Sequence, residues 1–476
     1  MVSSFLNKAP ALLILESTLM TIFCTQRGLS LRAGIVSSEL LIFFQMLIYE
    51  ERWSWRRGFI AAATLFLCLL LSVCTAVRIR QREPLPQYVA DDFTVIQRSS
   101  WGERALLILE DSKGRKWIAI ARDSLDKAYE GGRFFFRADV RILKNESRRS
   151  SFSPLRYWNS RGVKGELRNI TDVRALPKRF SIHRLRSLLR EQMRRLPSTS
   201  RAIISAILLG DRETNISEDF RRWGISHFLA VSGWHVGFAV ALAALVAGKR
   251  RWGLYAASLL LWLYCLISGM TASALRAAIM LQTVLIGLML GTGSCGLNSV
   301  GVAGTLMLII NPSICYDIGW QLSILAATVA VGLQKIQNVW MFLLTSPFMW
   351  MTASPFISEL SGGTYLSSLP VNIMATVFFS FVLGSVLLCG LPVLLGLQFY
   401  FLPYCAEKVF HVWAVAADQW TKWLPQALPA GFFPLWFCGG AVALLTASAL
   451  KISRWRAVVS AGGVGFVLYC LCEGSL

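Results

Sequence analysis

The sequence predicts an α-helical polytopic membrane protein with a small all-β, OB-like domain inserted outside the membrane. Three observations carry that prediction. The 476 residues are 55% hydrophobic and only 16% charged, against about 25% charge in soluble proteins. Apolar runs recur, such as 58–77 (GFIAAATLFLCLLLSVCTAV) and 427–449, each near the roughly 20 residues that span a bilayer. Residues 78–175 break this pattern with short Val-, Ile- and Phe-rich runs separated by turn residues, as strands are.

Three spans come first, near 9–25, 33–49 and 58–77, and make an N-terminal unit over 1–77. Pro10 to Cys24 reads as a retained first span rather than a signal peptide, because no small-residue cleavage site follows it. Lys8, Arg52, Arg56 and Arg57 fall on one side of these spans, and Arg27 and Arg32 on the other. Basic residues in short loops favour the cytoplasm, which places the following β-domain on the extracytoplasmic side.

Within 78–175, the runs DDFTVIQ, RALLILEDSKGRKWIAIAR and GRFFFRADVRILK read as strands, with Asp111-Ser112-Lys113-Gly114 as a hairpin turn. About five short strands without a long helix suggest a small barrel, and the OB-fold is one such solution. Residues 78–200 hold 28 Lys and Arg against 14 Asp and Glu, two thirds of the net +21 of the whole chain. A basic segment of this kind suits a polyanion, either nucleic acid or anionic lipid headgroups.

Residues 176–200 follow as a basic amphipathic helix. Ile182, Leu185, Leu189, Met193 and Leu196 recur on one helical face, with Arg184, Arg186, Arg190, Arg194 and Arg195 on the others and Pro197 as the stop. Such a helix suits a membrane surface, with contact to nucleic acid as the alternative.

Residues 201–476 form a polytopic unit with spans near 226–247, 252–268, 272–290, 298–311, 318–333, 338–357, 370–396, 427–449 and 456–472. The run 201–210 is apolar but too short to cross, so it reads as interfacial or re-entrant. The 11 cysteines all lie in or beside apolar runs, none in a C-x-x-C pair, which argues against a disulfide-built domain and against zinc. No metal or cofactor is expected.

Three polar interruptions carry the functional reading. In LLGDRETNISEDFRRWGISHFLAVSGWHVG (208–237), Ser217 is placed as a helix N-cap and Gly224 as the end of that short helix. Arg221, Arg222 and Trp223 then form either a clamp for phosphate and base or an ordinary interfacial anchor. Ser232-Gly233 can kink a membrane helix, His227 and His235 bracket the kink, and Gly233 and Gly237 leave a small face for a neighbour. The second interruption is SGMTASALRAAIM (268–280), with Gly269 and an arginine, Arg276, in an apolar run. In the third, NPSICYDIGWQLSILAA (311–327), Asp317 and Gln321 flank Gly319 and Trp320, and Asp317 could pair with Arg276. A Ser232–His235 catalytic arrangement lacks an oxyanion site, so no catalytic residue is assigned.

In this order and spacing, the three segments resemble the membrane domain of ComEC-type competence proteins, and SPLRYWNSRGVKGEL (153–167) resembles the end of that family's small OB-like domain. Trp234 stands where the family usually has Leu, and Trp320 where it has Phe. Many members carry a metallo-β-lactamase-like nuclease domain with an H-x-H-x-D-H motif. The four histidines here, at 183, 227, 235 and 411, cannot form it, so the nuclease is expected to be a separate protein or absent.

The resemblance implies a non-enzymatic channel that passes single-stranded DNA across the bacterial cytoplasmic membrane during DNA uptake. It implies partners as well: a DNA receptor, a separate nuclease, a cytoplasmic helicase or motor, membrane lipid, and a second copy in a homo-oligomer. Arg221, Arg222, Trp223, His227, Ser232, His235, Arg276 and Gln321 are the expected path, and Gly233, Gly237, Gly269 and Gly319 the expected kink or packing glycines. The rival readings are a secondary transporter for a small anion or lipid-linked substrate, and an intramembrane hydrolase.

Overall fold

The structure is a computed structural model that describes residues 9–26, 55–80, 85–101, 104–121, 125, 128–143, 154–177, 179–211, 214–229, 237, 251–292, 295–334, 339–361, 363–376, 378–379, 401–423, 427–429 and 434–449. It is mostly helical, with one small five-stranded barrel.

Strands β1 (Tyr88–Trp101), β2 (Arg104–Glu110), β3 (Lys116–Ile120), β4 (Arg133–Arg141) and β5 (Val163–Ala175) close in the order β1-β2-β3-β5-β4. All neighbours are antiparallel except β3 and β5. The long β1 serves two neighbours, pairing with β4 over its first half and β2 over its second; an irregularity between Val95 and Gln97 bends it between the two. Phe93, Val95, Leu107, Leu109, Trp117, Phe136 and Leu167 fill the interior, with Phe93 and Phe136 stacked at 4.2 Å. The outer face of β2 and β3 is covered too. Leu106, Ile108 and Ile118 pack against Trp158 of the short helix α3 (Pro154–Ser160). Burial on both faces explains why the five residues between Arg104 and Glu110 in RALLILE are all apolar instead of alternating.

The expected turn at Asp111–Gly114 forms. The Asp111 carboxylate accepts the N–H groups of Lys113 (3.0 Å) and Arg115 (2.8 Å) and the Trp117 indole N–H (3.0 Å), while Gly114 takes φ +73°. Burial opposes the charge on Asp111. The bonds from the Arg115 N–H, the Trp117 indole and the Arg115 guanidinium outweigh it and hold the carboxyl below its usual range.

The remaining helices are α1 (Pro10–Gln26), α2 (Trp55–Arg80), α4 (Ile182–Met193), α5 (Ser198–Leu209), α6 (Thr214–Arg222), α7 (Arg251–Ile267), α8 (Ala272–Met289), α9 (Gly296–Ile310), α10 (Ile318–Gln334), α11 (Val339–Ser361), α12 (Phe401–Trp423) and α13 (Leu435–Ala449). The α1–α9 crossing is close. An added Cβ at Gly301 would lie 2.4 Å from the Ala11 backbone, so that position needs glycine, while one at Gly304 would lie 2.7 Å from the Leu15 side chain and force it to shift. Two short strands, β6 (Gly363–Tyr365) and β7 (Ala427–Pro429), pair antiparallel.

The structure bears on several expectations. Among the described residues only α8 is long and apolar enough to cross a membrane. Helices of 15–17 residues such as α7, α9 and α10 rise about 23–26 Å, short of a hydrocarbon core of about 30 Å. Helix α6 begins at Thr214, so Ser217 lies inside it rather than capping it. The run 427–449 opens with strand β7 before α13 begins. Helix α12 was not anticipated from the sequence. The runs 33–49 and 456–472 lie outside the described residues, as does most of 226–247 and of 370–396.

Candidate functional site

Helix α6 ends in a left-handed Gly224 (φ +71°), where the Ile225 N–H returns to the Phe220 carbonyl at 2.9 Å. A Cβ there would meet the Ser368 side chain at 2.5 Å. The two arginines before Gly224 face outward and the tryptophan inward. Arg221 and Arg222 are exposed, and Arg222 pairs with Asp219 (3.1 Å) and with Asp418 of α12 (3.0 Å). Trp223 is 2% exposed, packed among Phe220, Phe378, Phe410 and Trp413, with its indole N–H donated to Asp418 at 2.7 Å. A stacking role for Trp223 on a base is therefore corrected: the ring is part of an aromatic core. His227 is exposed on a single 3₁₀ turn, Ser226–Leu229, its ring 4.5 Å from that of Phe228. Nothing lies within 4 Å of a Cβ built at Gly237. Ser232, Gly233 and His235 lie outside the described residues.

Arg276 stands in the second turn of α8 and is only 7% exposed. Its Nε donates to the Ser323 hydroxyl of α10 at 2.5 Å and its Nη1 to the Met280 thioether at 3.0 Å. The ion pair with Asp317 does not form. Asp317 precedes α10 and accepts the Trp320 N–H at 2.8 Å, which satisfies one free donor of that helix start. Gln321 donates to the Cys315 carbonyl at 2.6 Å, bracing the preceding 3₁₀ turn. Gly319 lies in the first turn of α10, where an added Cβ would meet Asp317 at 2.9 Å.

A second constellation was invisible in the sequence. Gly131, left-handed at φ +79°, brings the loop before β4 onto α4, within 2.6 Å of the Arg184 backbone nitrogen for an added Cβ. This places Glu130, 4% exposed, beside two arginines of α4. Arg190 bridges Glu130 of the barrel and Asp211 of the helical region, with the Nη2 bond to Asp211 at 2.8 Å. Arg186, 5% exposed, donates to the last carbonyl of α5, Leu209, at 2.7 Å and lies 3.9 Å from Glu130 and 4.0 Å from Asp211. Its guanidinium also lies 3.0 Å from a Cβ built at Gly269, which ends α7 at φ +81°. One cation thus meets the negative ends of two helices. Burial lowers the Arg186 pKa, with Glu130 and Asp211 offsetting part of the loss. For Arg190 burial also opposes the charge, but Asp211 and Glu130 outweigh it and raise the pKa. A second fastening lies beside α3, where the Asn311 amide donates to the Ser160 carbonyl at 2.8 Å and the Arg156 guanidinium lies over the Tyr316 ring at 5.3 Å.

A family model described as competence protein matches residues 207–455, more than half of the chain. The chain belongs to the competence protein family. ComE operon protein 3 of Bacillus subtilis (strain 168) is 25% identical over 222 residues, which are 43% of this chain and 29% of that protein. The chain therefore matches less than a third of that relative's length. No solved structure matches.

The competence-family region supplies Asp211, Arg276, Gln321 and Asp418, whereas Glu130, Arg186 and Arg190 lie before it. The resemblance read from the three motifs thus holds at the level of the family. Among the described residues, no group of three or more His, Cys, Asp or Glu could hold a metal ion.

Proposed function

We propose that this competence-family protein is a multi-pass protein of the bacterial cytoplasmic membrane that passes single-stranded DNA inward. The observation that carries the reading is the family match across the helical region. The basic excess over 78–200 supports a receiving role for the β-domain, because phosphate neutralisation by Lys and Arg drives strand binding. The strand order of the barrel supports its reading as OB-like. Broad apolar exposure on the helices supports contact with lipid: Phe66, Leu70 and Val77 on α2, Trp252 and Leu259 on α7, and Val409 and Val412 on α12.

The proposed units are 1–77, the β-domain at 78–175 on the extracytoplasmic side, the amphipathic helix at 176–200, and the channel region from 201. Arg221, Arg222, His227, Ser232, His235, Arg276 and Gln321 remain the proposed path, while Trp223 supports it from the core. The protein itself carries out no chemistry in this reading. A DNA receptor, a nuclease and a motor act as partners.

Deleting the gene and scoring labelled DNA separately outside the membrane and in the cytoplasm tests the reading. Loss of the cytoplasmic pool alone is the expected result. An unchanged cytoplasmic pool sinks it, and loss of a small anion's transport with normal DNA entry favours a secondary transporter.

A further inference from the structure

We propose that Arg276 forms a single-phosphate site, its guanidinium neutralising one backbone phosphodiester of the strand as it passes the helical region. This site presupposes the DNA-path reading above and adds the chemical group that is recognised. Its two protein partners, the Ser323 hydroxyl and the Met280 thioether, carry no charge. Asp317 is committed to the start of α10. Among the described residues no carboxylate pairs with Arg276, and its two bonds use Nε and Nη1. A buried cation is normally paired, since leaving it uncompensated is costly, and an ionisable group at membrane depth marks a pathway by default. The orientation fits an oxyanion. Ser323 fixes Nε, which leaves the Nη edge to present two parallel donors to two oxygens, the geometry by which arginine takes a phosphate. The thioether on Nη1 is a weak acceptor that a phosphate oxygen readily displaces.

The test uses the full chain in a phosphate-free detergent, with a fluorescent single-stranded oligodeoxynucleotide as the probe. Binding measured over a salt series gives the slope of log affinity against log salt, to which each neutralised phosphate of a single strand contributes about 0.7. Arg276→Met should lower the slope by about 0.7, and Arg276→Lys, which keeps the charge, should leave it near the wild-type value. Arg276→Met should also raise the thermal midpoint, because an apolar chain replaces an unneutralised buried cation. An unchanged slope in Arg276→Met, with wild-type binding intact, overturns the site and leaves the DNA path standing. A lowered midpoint assigns Arg276 to packing and overturns it as well. A midpoint gain in detergent that becomes a loss in phospholipid nanodiscs puts a lipid phosphate there instead, with the same consequence. A wild-type chain that binds no strand at any salt overturns both the site and the reading beneath it.

Discussion

Two buried arginine environments of this chain are opposites. Arg186 and Arg190 of α4 face two carboxylates and a helix-end carbonyl, so their charges are matched by groups of this chain. Arg276 of α8 faces a hydroxyl and a thioether, so its charge is matched by none among the described residues. Similar burial of the same side chain therefore serves two ends. A neutralised arginine fastens elements together, whereas an unneutralised one is kept at a cost in stability that only an outside anion relieves.

The comparison breaks most sharply at the junction. Glu130→Leu removes a buried partner of Arg190 and is expected to cost about 3–5 kcal/mol. The loss should register as a lower thermal midpoint and as faster amide exchange over 128–132 and α4. An unchanged midpoint would mean that the junction charges do not hold the barrel. The contrasting change, Arg276→Met, should stabilise by roughly 1–4 kcal/mol, the range for replacing buried ionic groups with apolar ones. If both substitutions destabilise equally, the distinction between the two environments fails.

Asp418 gives an intermediate case, since it accepts from both Trp223 and Arg222. Asp418→Ala orphans the buried indole N–H and should cost about 1–3 kcal/mol. Arg222→Ala breaks an exposed pair and should cost at most about 1 kcal/mol. Thermal midpoints of the two variants check the order, and a larger effect from Arg222→Ala would reverse it.

The smallest effect is pH-dependent. His183 of α4 faces Arg186, Lys116 and Glu110; burial first, and then Arg186, lowers its pKa below 6.5. The folded state thus binds this proton less readily than the unfolded one. The contribution of neutral His183 is intact above the unfolded value and is lost progressively as pH falls below about 6.5. Amide exchange in α4 should rise over that interval in the wild type, and His183→Gln should flatten the rise.

What was legible in the sequence was local. The Asp111–Gly114 turn and the Gly224 stop depend on neighbours in the chain, and both were read correctly, whereas the single helix expected over 176–200 is α4 (Ile182–Met193) followed by α5 from Ser198. The junction was not legible, because Glu130 lies 60 residues and Asp211 21 residues from Arg190. Without those acids, the arginines of α4 look like one solvated basic face. Its apolar face was likewise given to lipid, but Met193 and Leu196 pack on Ile204 and Leu209 of α5. Helix α12 was missed because Glu407, Lys408 and Asp418 dilute its hydropathy, although Phe410, Trp413, Ala417 and Trp420 repeat at helical spacing. Trp223 was placed beside its exposed neighbours in sequence, and nothing local says that its ring turns the other way.

The α1–α9 crossing has a consequence in time. The Ala11 N–H donates to the Asn298 side chain at 3.0 Å, across 287 residues of chain. Synthesis at about 5–20 residues per second separates the emergence of these two partners by roughly 15–60 s. During that interval the surface of α1 that receives Gly301 and Gly304 has no helix against it. A substitution at Gly301 would thus act on assembly well after the segment carrying Ala11 has been made.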